Sequence, residues 1–340
     1  MGWGHHVGEH PGDESSGGGR LTSPVTVGLV LPTFPQRGPL DTDRLREVIV
    51  AAEQRGVDAL WACDHLFWHG PVLEALTALA VAATVSSRPT LGTAVLQLPL
   101  RPTPLVAKQV AGLQELSGGR IVLGVGAGAH EREFHAVGAD FTRRGRAVDD
   151  ALDELDRLWR PSTGRYAQHP VPARVPVWIG GSSNAAVRRA GRRGDGWIPL
   201  FLSPDGYRER SRQLDVFARR AGRRPEDVTR AVLLFVRTGP DGDAARVAGL
   251  DWMSSLYGLP AARFERHLVA GAPDDCIRRI AAYVRAGARH LCLFAADDDP
   301  LPHLDALIDG LRALGAPHDL GPTTVRASAT TPAVASGGGR

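Results

Sequence analysis

The stretch Leu91 to Phe134, LGTAVLQLPLRPTPLVAKQVAGLQELSGGRIVLGVGAGAHEREF, reads as one complete β-α-β unit. An apolar run from Leu91 to Leu96 gives way to a short loop and then to a helical pattern from Pro104 to Leu116. Ser117-Gly118-Gly119-Arg120 turns the chain into a second apolar run, Ile121 to Val125. That run passes into Gly124-Val125-Gly126-Ala127-Gly128, small residues that expose backbone to an approaching ligand.

The same alternation extends in both directions. Toward the N-terminus, Val25 to Leu31 suits a buried strand stopped by Pro32. Asp41 to Arg55 has helical spacing, with Leu45, Val48, Ile49 and Ala52 on one face and Gly56 as its stop. Ala59 to Cys63 is a second strand, and Glu74 to Val85 a helix. Toward the C-terminus, Arg146 to Trp159 is an amphipathic helix, Val175 to Ile179 a strand, and Asn184 to Arg193 a helix. Strands at Gly196 to Leu200, Ala231 to Val236 and His290 to Phe294 follow. Helices are expected over Pro204 to Arg220, Ala244 to Tyr257, Ala261 to Ala270, Asp274 to Ala286 and Leu301 to Leu314.

Eight apolar strands alternating with helices are the count of an α/β fold of the (β/α)8 barrel type, and residues 25–316 fit its usual size of about 250. A doubly wound open sheet is the alternative, because strand order is not written in one sequence. Residues 1–24, with scattered histidines and a glycine run, read as a disordered leader, and residues 317–340 as a disordered tail. His5, His6 and His10 of the leader are read as solvated rather than metal-binding.

Composition narrows the function. The 40 basic and 37 acidic residues nearly cancel, and no basic run is interleaved with aromatics, which argues against nucleic acid as a partner. No stretch reaches the roughly 18 consecutive apolar residues that a membrane span requires. Cys63, Cys276 and Cys292 lack metal-ligand spacing and are expected to be reduced core residues of a cytoplasmic protein.

Four motifs carry candidate chemistry. Gly124 to Ala129 satisfies a loose dinucleotide pattern, but the segment after it, Gly128 to Gly145, shows no clear helical period, as that pattern would need. Gly180-Gly181-Ser182-Ser183 joins a strand to a helix and offers free N–H groups and two hydroxyls, the requirements of a phosphate site. The plainer alternative is a tight turn with a serine N-cap. Asp64-His65 places a carboxylate and an imidazole at the carboxyl end of a buried strand. Asp297-Asp298-Asp299 precedes a helix start and is expected to cap it rather than to hold a metal. Phe34, Trp68, Phe201 and Trp252 are apolar candidates near strand ends.

Taken together, Asp64-His65, Gly92 to Leu96, Ala107-Lys108-Gln109, the Ser117 to Arg120 turn, Gly124 to Gly128, Val177 to Gly181 and Asp195-Gly196-Trp197 resemble the bacterial luciferase-like monooxygenase superfamily. Within it, they resemble the coenzyme F420-dependent oxidoreductases. The resemblance implies a (β/α)8 barrel with a flavin or deazaflavin in the mouth, coenzyme F420 first and FMN as the alternative. It implies a non-proline cis peptide at Ala94-Val95 supporting the central ring, and Asp64 and His65 as catalytic residues facing that ring, His65 hydrogen-bonding the cofactor or passing a proton near the reacting centre. It further implies a phosphate cradle at Gly180, Gly181, Ser182 and Ser183, with Gly126 and Gly128 beside the cofactor. The activity implied is hydride transfer to or from a small organic substrate, with FMN-dependent oxygenation or a non-catalytic barrel as alternatives, and a homodimer as the assembly. One departure stands out: sugar-phosphate dehydrogenases of the family carry an acid directly after the strand-four glycines, where this chain has Ala129. The nearest acids, Glu131 and Glu133, lie later.

Overall fold

The computed structural model describes residues 24–36, 38–163 and 167–314. The expected tail over 317–340, the leader histidines and all of the leader but Pro24 lie outside the described residues.

The barrel strands are β1 (Thr26–Val30), β2 (Ala59–Ala62), β3 (Thr90–Thr93) continued by β4 (Leu96–Gln97), β5 (Ile121–Gly126), β6 (Val177–Gly180), β7 (Gly196–Ile198) and β8 (Thr229–Thr238). A further strand, β9 (Leu268–Gly271), lies against β8, and β10 (His290–Ala295) completes the ring. Neighbours pair in parallel, and β10 bonds to both β8 and β1, so the sheet is closed and the open-sheet alternative is excluded. Around it run α1 (Thr42–Gln54), α2 (Ala75–Val85), α3 (Thr103–Leu116), α4 (Glu131–Ala136), α5 (Arg144–Leu158), α6 (Asn184–Arg193), α7 (Pro204–Arg220), α8 (Gly242–Tyr257), α9 (Pro273–Arg285) and α10 (Leu301–Ala313). The expected face of α1, Leu45, Val48, Ile49 and Ala52, is buried against the barrel. No helix among the described residues is long and apolar enough to cross a membrane.

Two expectations are corrected. Residues Ala261 to Ala270 are not a helix: after a single turn at Ala261–Arg263 the chain becomes β9. The reason is tertiary, since the last four residues of β8 extend beyond its pairing with β7 and accept Leu268 to Gly271 alongside. The segment from Gly128 to Gly145 is also more ordered than its pattern suggests. It contains α4, which buries Glu133 and Phe134.

The barrel interior is filled below the mouth by Trp61, Trp178 and His290. The two indoles lie 5.0 Å apart, and Trp61 donates its Nε1–H to His290 Nε2 at 2.9 Å. Burial pushes His290 down to about 4, so the ring is neutral at pH 7 and its Nδ1–H is free to donate to Thr26 Oγ1 at 2.8 Å. Room for the indoles comes from strand glycines: a Cβ on Gly92 would lie 2.2 Å from the Trp61 ring, and one on Gly196 2.6 Å from that of Trp178. The plug therefore closes the floor of whatever opens above it.

Candidate active site

At the carboxyl ends of the strands lies a cavity of about 740 Å³, the size of a small-molecule or cofactor site. All of the site residues expected from sequence line it: Asp64, His65, Ala94, Val95, Gly126, Gly128, Gly180, Gly181, Ser182 and Ser183.

Its central wall is the break between β3 and β4. The Ala94–Val95 peptide is cis, as the resemblance implied. Around it the backbone is held from three sides: Ala94 N–H donates to Ala62 O at 2.8 Å, Thr93 Oγ1 donates to Gly124 O at 2.6 Å, and the Cys63 thiol donates to Ala94 O at 3.2 Å. Burial, reinforced by Asp64, pushes the Cys63 thiol up to about 12, so it stays protonated and serves as a donor rather than a nucleophile. The projecting Val95 side chain explains the glycines around it. A Cβ on Gly126 would lie 2.5 Å from Val95 Cγ2, and one on Gly180 2.6 Å from Cγ1. Gly128, at φ +76°, leaves room for Gln97 Oε1 and the Phe134 ring. Gly126 and Gly180 line the cavity because the bulge needs their space.

Asp64 and His65 leave the end of β2 in different directions. The Asp64 carboxylate turns away from solvent and accepts both Arg101 guanidinium nitrogens, at 2.7 and 2.8 Å, and the Gln97 N–H at 3.0 Å. With those bonds made, it anchors the β2 and β4 ends to one another. His65 is held through Nδ1, 3.0 Å from Glu133 Oε2. Glu133 is fully buried, and its Oε1 accepts the N–H groups of Leu66 and Phe67 at 2.6 and 2.9 Å. Gln97 Nε2 donates to Oε2 at 3.1 Å. Burial raises the Glu133 pKa, but the hydrogen bonds from His65, Phe67 and Gln97 outweigh it and hold the carboxyl at about 2. An ionised carboxylate can only accept, so His65 keeps its proton on Nδ1 and its Nε2 is free. The Trp68 ring packs on the imidazole with centroids 3.8 Å apart.

The other end of the cavity is polar. Gly181, at φ +104°, turns the chain from β6 into α6, and Ser183 caps that helix by accepting Ala186 N–H at 3.2 Å. Ser182 stands at the same turn, and Thr142, Arg144 and Arg189 line the same cavity. Arg189 is fixed by Asp149, at 2.6 and 2.9 Å. The remaining wall is aromatic: Phe34, Trp68, Phe201, Phe235, Tyr257 and Phe294. Trp252 is not on it, being buried with its Nε1–H on Asp298 Oδ1 at 2.8 Å. Asp299 accepts Leu301 N–H at the start of α10, the expected capping contact, and Asp297 pairs with Arg237 and His303.

Sequence reasoning missed Glu133, Gln97 and Arg101. A signal existed for two of them: Gln97 and Arg101 are the polar residues of an otherwise apolar stretch, Leu96-Gln97-Leu98-Pro99-Leu100-Arg101. Glu133 was noted only as one of the nearest acids after the strand-four glycines, and α4 is too short to show which side of it is buried.

A family model described as luciferase-like monooxygenase matches residues 25–257. The F420-dependent glucose-6-phosphate dehydrogenase of Microbacterium testaceum is 31% identical over 312 residues, covering 80% of this chain and 91% of the relative. An uncharacterised protein of Mycobacterium tuberculosis is 33% identical over 149 residues, 40% of this chain and 50% of that protein, so this match spans half the relative's length. Among solved structures, an F420-dependent secondary alcohol dehydrogenase in complex with an F420-acetone adduct superposes with a TM-score of 0.70 at 19% identity. That match covers 85% of this chain and 96% of the other, and it speaks to the fold. With a closed barrel, a cis peptide at the end of its third strand and a family model spanning residues 25–257, the chain belongs to the luciferase-like monooxygenase family.

Proposed function

We propose that this chain is an oxidoreductase that uses coenzyme F420 for hydride transfer to or from a small organic substrate. The observation that carries the reading is the His65 imidazole on the cavity wall, its Nδ1–H fixed by ionised Glu133 and its Nε2 left free. The family relatives named for F420 support the choice of cofactor.

The residues present fit such a group. The cavity volume suits it, the α6 N-terminus with Gly180, Gly181, Ser182 and Ser183 suits its phosphate, and Ala94 and Val95 lie on the wall of the same cavity. Buried Gln97 Oε1 has no hydrogen-bond partner among the described residues and is available to a ring N–H. When bound, the deazaflavin would accept or supply the hydride. His65 does the complementary work: its Nε2 takes the proton from a substrate hydroxyl on oxidation and returns it to a carbonyl on reduction. Asp64 acts as a positioning residue through Arg101 and Gln97.

Titration of the purified protein with coenzyme F420 and with FMN, followed by tryptophan fluorescence, tests the reading. Saturable quenching by coenzyme F420 is expected. Saturation by FMN with no response to the deazaflavin would give the monooxygenase reading instead, and silence toward both would leave a barrel without flavin chemistry.

A further inference from the structure

We propose that the aromatic end of the cavity is a subsite for an uncharged, largely apolar alcohol or ketone, not for a sugar phosphate, and that Phe201 determines this specificity. The inference rests on the oxidoreductase reading above and names the substrate class of the same site.

Charge is distributed unevenly around the cavity. Its arginines among the described residues are both tied to the cradle helix: Arg189 lies on α6 itself, and it donates at 2.8 Å to the carbonyl of Gly145, the neighbour of Arg144. Neither is idle: Arg189 is paired with Asp149, and the Arg144 guanidinium sits 3.9 Å from the Phe141 ring centroid. The wall built from β1, β7, β8, α8 and β10 contributes Phe34, Ile198, Leu200, Phe201, Leu233 and Phe235, followed by Leu256, Tyr257 and Phe294. His130 borders this end, and burial together with neighbouring His65 lowers its pKa, which favours the uncharged ring. A phosphoryl group placed there would lose its water and meet aromatic faces and no counter-charge. An apolar ring or alkyl group would lose nothing by the same transfer.

The rings are mutually packed rather than scattered. Phe235 stacks on Phe294 with centroids 4.7 Å apart, Phe201 lies nearly parallel to Phe235 at 5.9 Å, and Tyr257 contacts both Phe201 and Phe235. Phe201 also has the one positive φ found among the described non-glycine residues, +59°. A bulky side chain in the left-handed region is an outlier, held only where surrounding structure dictates it. Here the consequence of that backbone is a ring on the cavity wall, directly between β7 and the Ser203 cap of α7. Tyr257 supplies the polar handle. Burial pushes its phenol up, so it stays protonated, and its hydroxyl makes no hydrogen bond among the described residues. Tyr257 and His65 both line the cavity, a neutral donor and an imidazole of the kind a lone hydroxyl or carbonyl oxygen needs.

The test uses acetophenone and 1-phenylethanol as apolar probes and glucose 6-phosphate as the charged one, with binding read by calorimetry on cofactor-free and F420-loaded protein, and turnover read alongside. Acetophenone is expected to bind saturably and glucose 6-phosphate to give no response over the same range. In Phe201→Gly, where the left-handed backbone suits glycine, acetophenone affinity should fall about tenfold from the loss of one packed ring, with coenzyme F420 affinity unchanged. Saturable binding of glucose 6-phosphate with acetophenone silent, in protein that binds coenzyme F420, would overturn the inference and leave the proposed function standing. Acetophenone affinity unchanged in Phe201→Gly would overturn the role of Phe201. Protein that binds acetophenone through Phe201 but never coenzyme F420 would instead overturn the cofactor reading and keep the subsite.

Discussion

Replacing Glu133 with glutamine changes one atom, reverses its hydrogen bond with His65 and removes the one it accepts from Gln97 Nε2. The retained Oε1 still accepts from Leu66 and Phe67, but the new amide faces His65 Nδ1 with hydrogens. The imidazole must then move its proton to Nε2, where a lone pair is required for alcohol oxidation. Glu133→Gln is expected to lower kcat by about a hundredfold, the scale of general acid-base catalysis, while KM and the Kd for coenzyme F420 stay near the wild-type values. A merely structural role would lower stability and move all three together. The same residue makes an acid-sensitive contribution to folding. Its folded pKa is depressed from 4.5 to about 2, so its stabilisation is complete above about 4.5 and is lost as pH falls through about 2. Chemical denaturation across that pH range should show a shallower loss of stability in Glu133→Gln than in the wild type. Asp64 and His65 were legible from their place after β2, but their division of labour was not. It depends on Arg101 and Glu133, which approach from 37 and 68 residues away.

At the scale of elements, the break between β3 and β4 and the glycines around it act as one unit. Gly126→Ala would bring a methyl 2.5 Å from Val95 Cγ2, and the flexible way out is to shorten Val95. Gly126→Ala alone should weaken coenzyme F420 binding and lower Tm. Adding Val95→Ala should restore most of both, a coupling of about 1–2 kcal/mol in a double-mutant cycle. Gly124→Ala should resist that rescue, because its methyl would meet the Thr93 carbonyl oxygen at 1.9 Å, and backbone does not yield as a side chain does. The helices and strands with a full period were legible, such as α1 with its four buried apolar residues. Two short elements were not. Six residues of α4 give too few turns to reveal a face, and β9 forms because β8 overhangs its neighbour.

For the molecule as a whole, the barrel was readable because eight buried strands each needed cover on both faces, and their apolar runs counted themselves. Closure and the division of the cavity into a polar and an aromatic end are long-range facts, visible only once β10 meets β1. The plug of Trp61, Trp178 and His290 carries a consequence for measurement. The Trp61 indole proton is held by His290 Nε2 inside a ring of strands, fully buried. Its exchange with deuterated solvent requires the ring to open, so that single resonance should be among the slowest to fade and should report global unfolding. Saturating ligand that binds only the folded state should retard the fading by the factor 1 + [L]/Kd. The indole at the floor thus becomes a clock for events at the mouth.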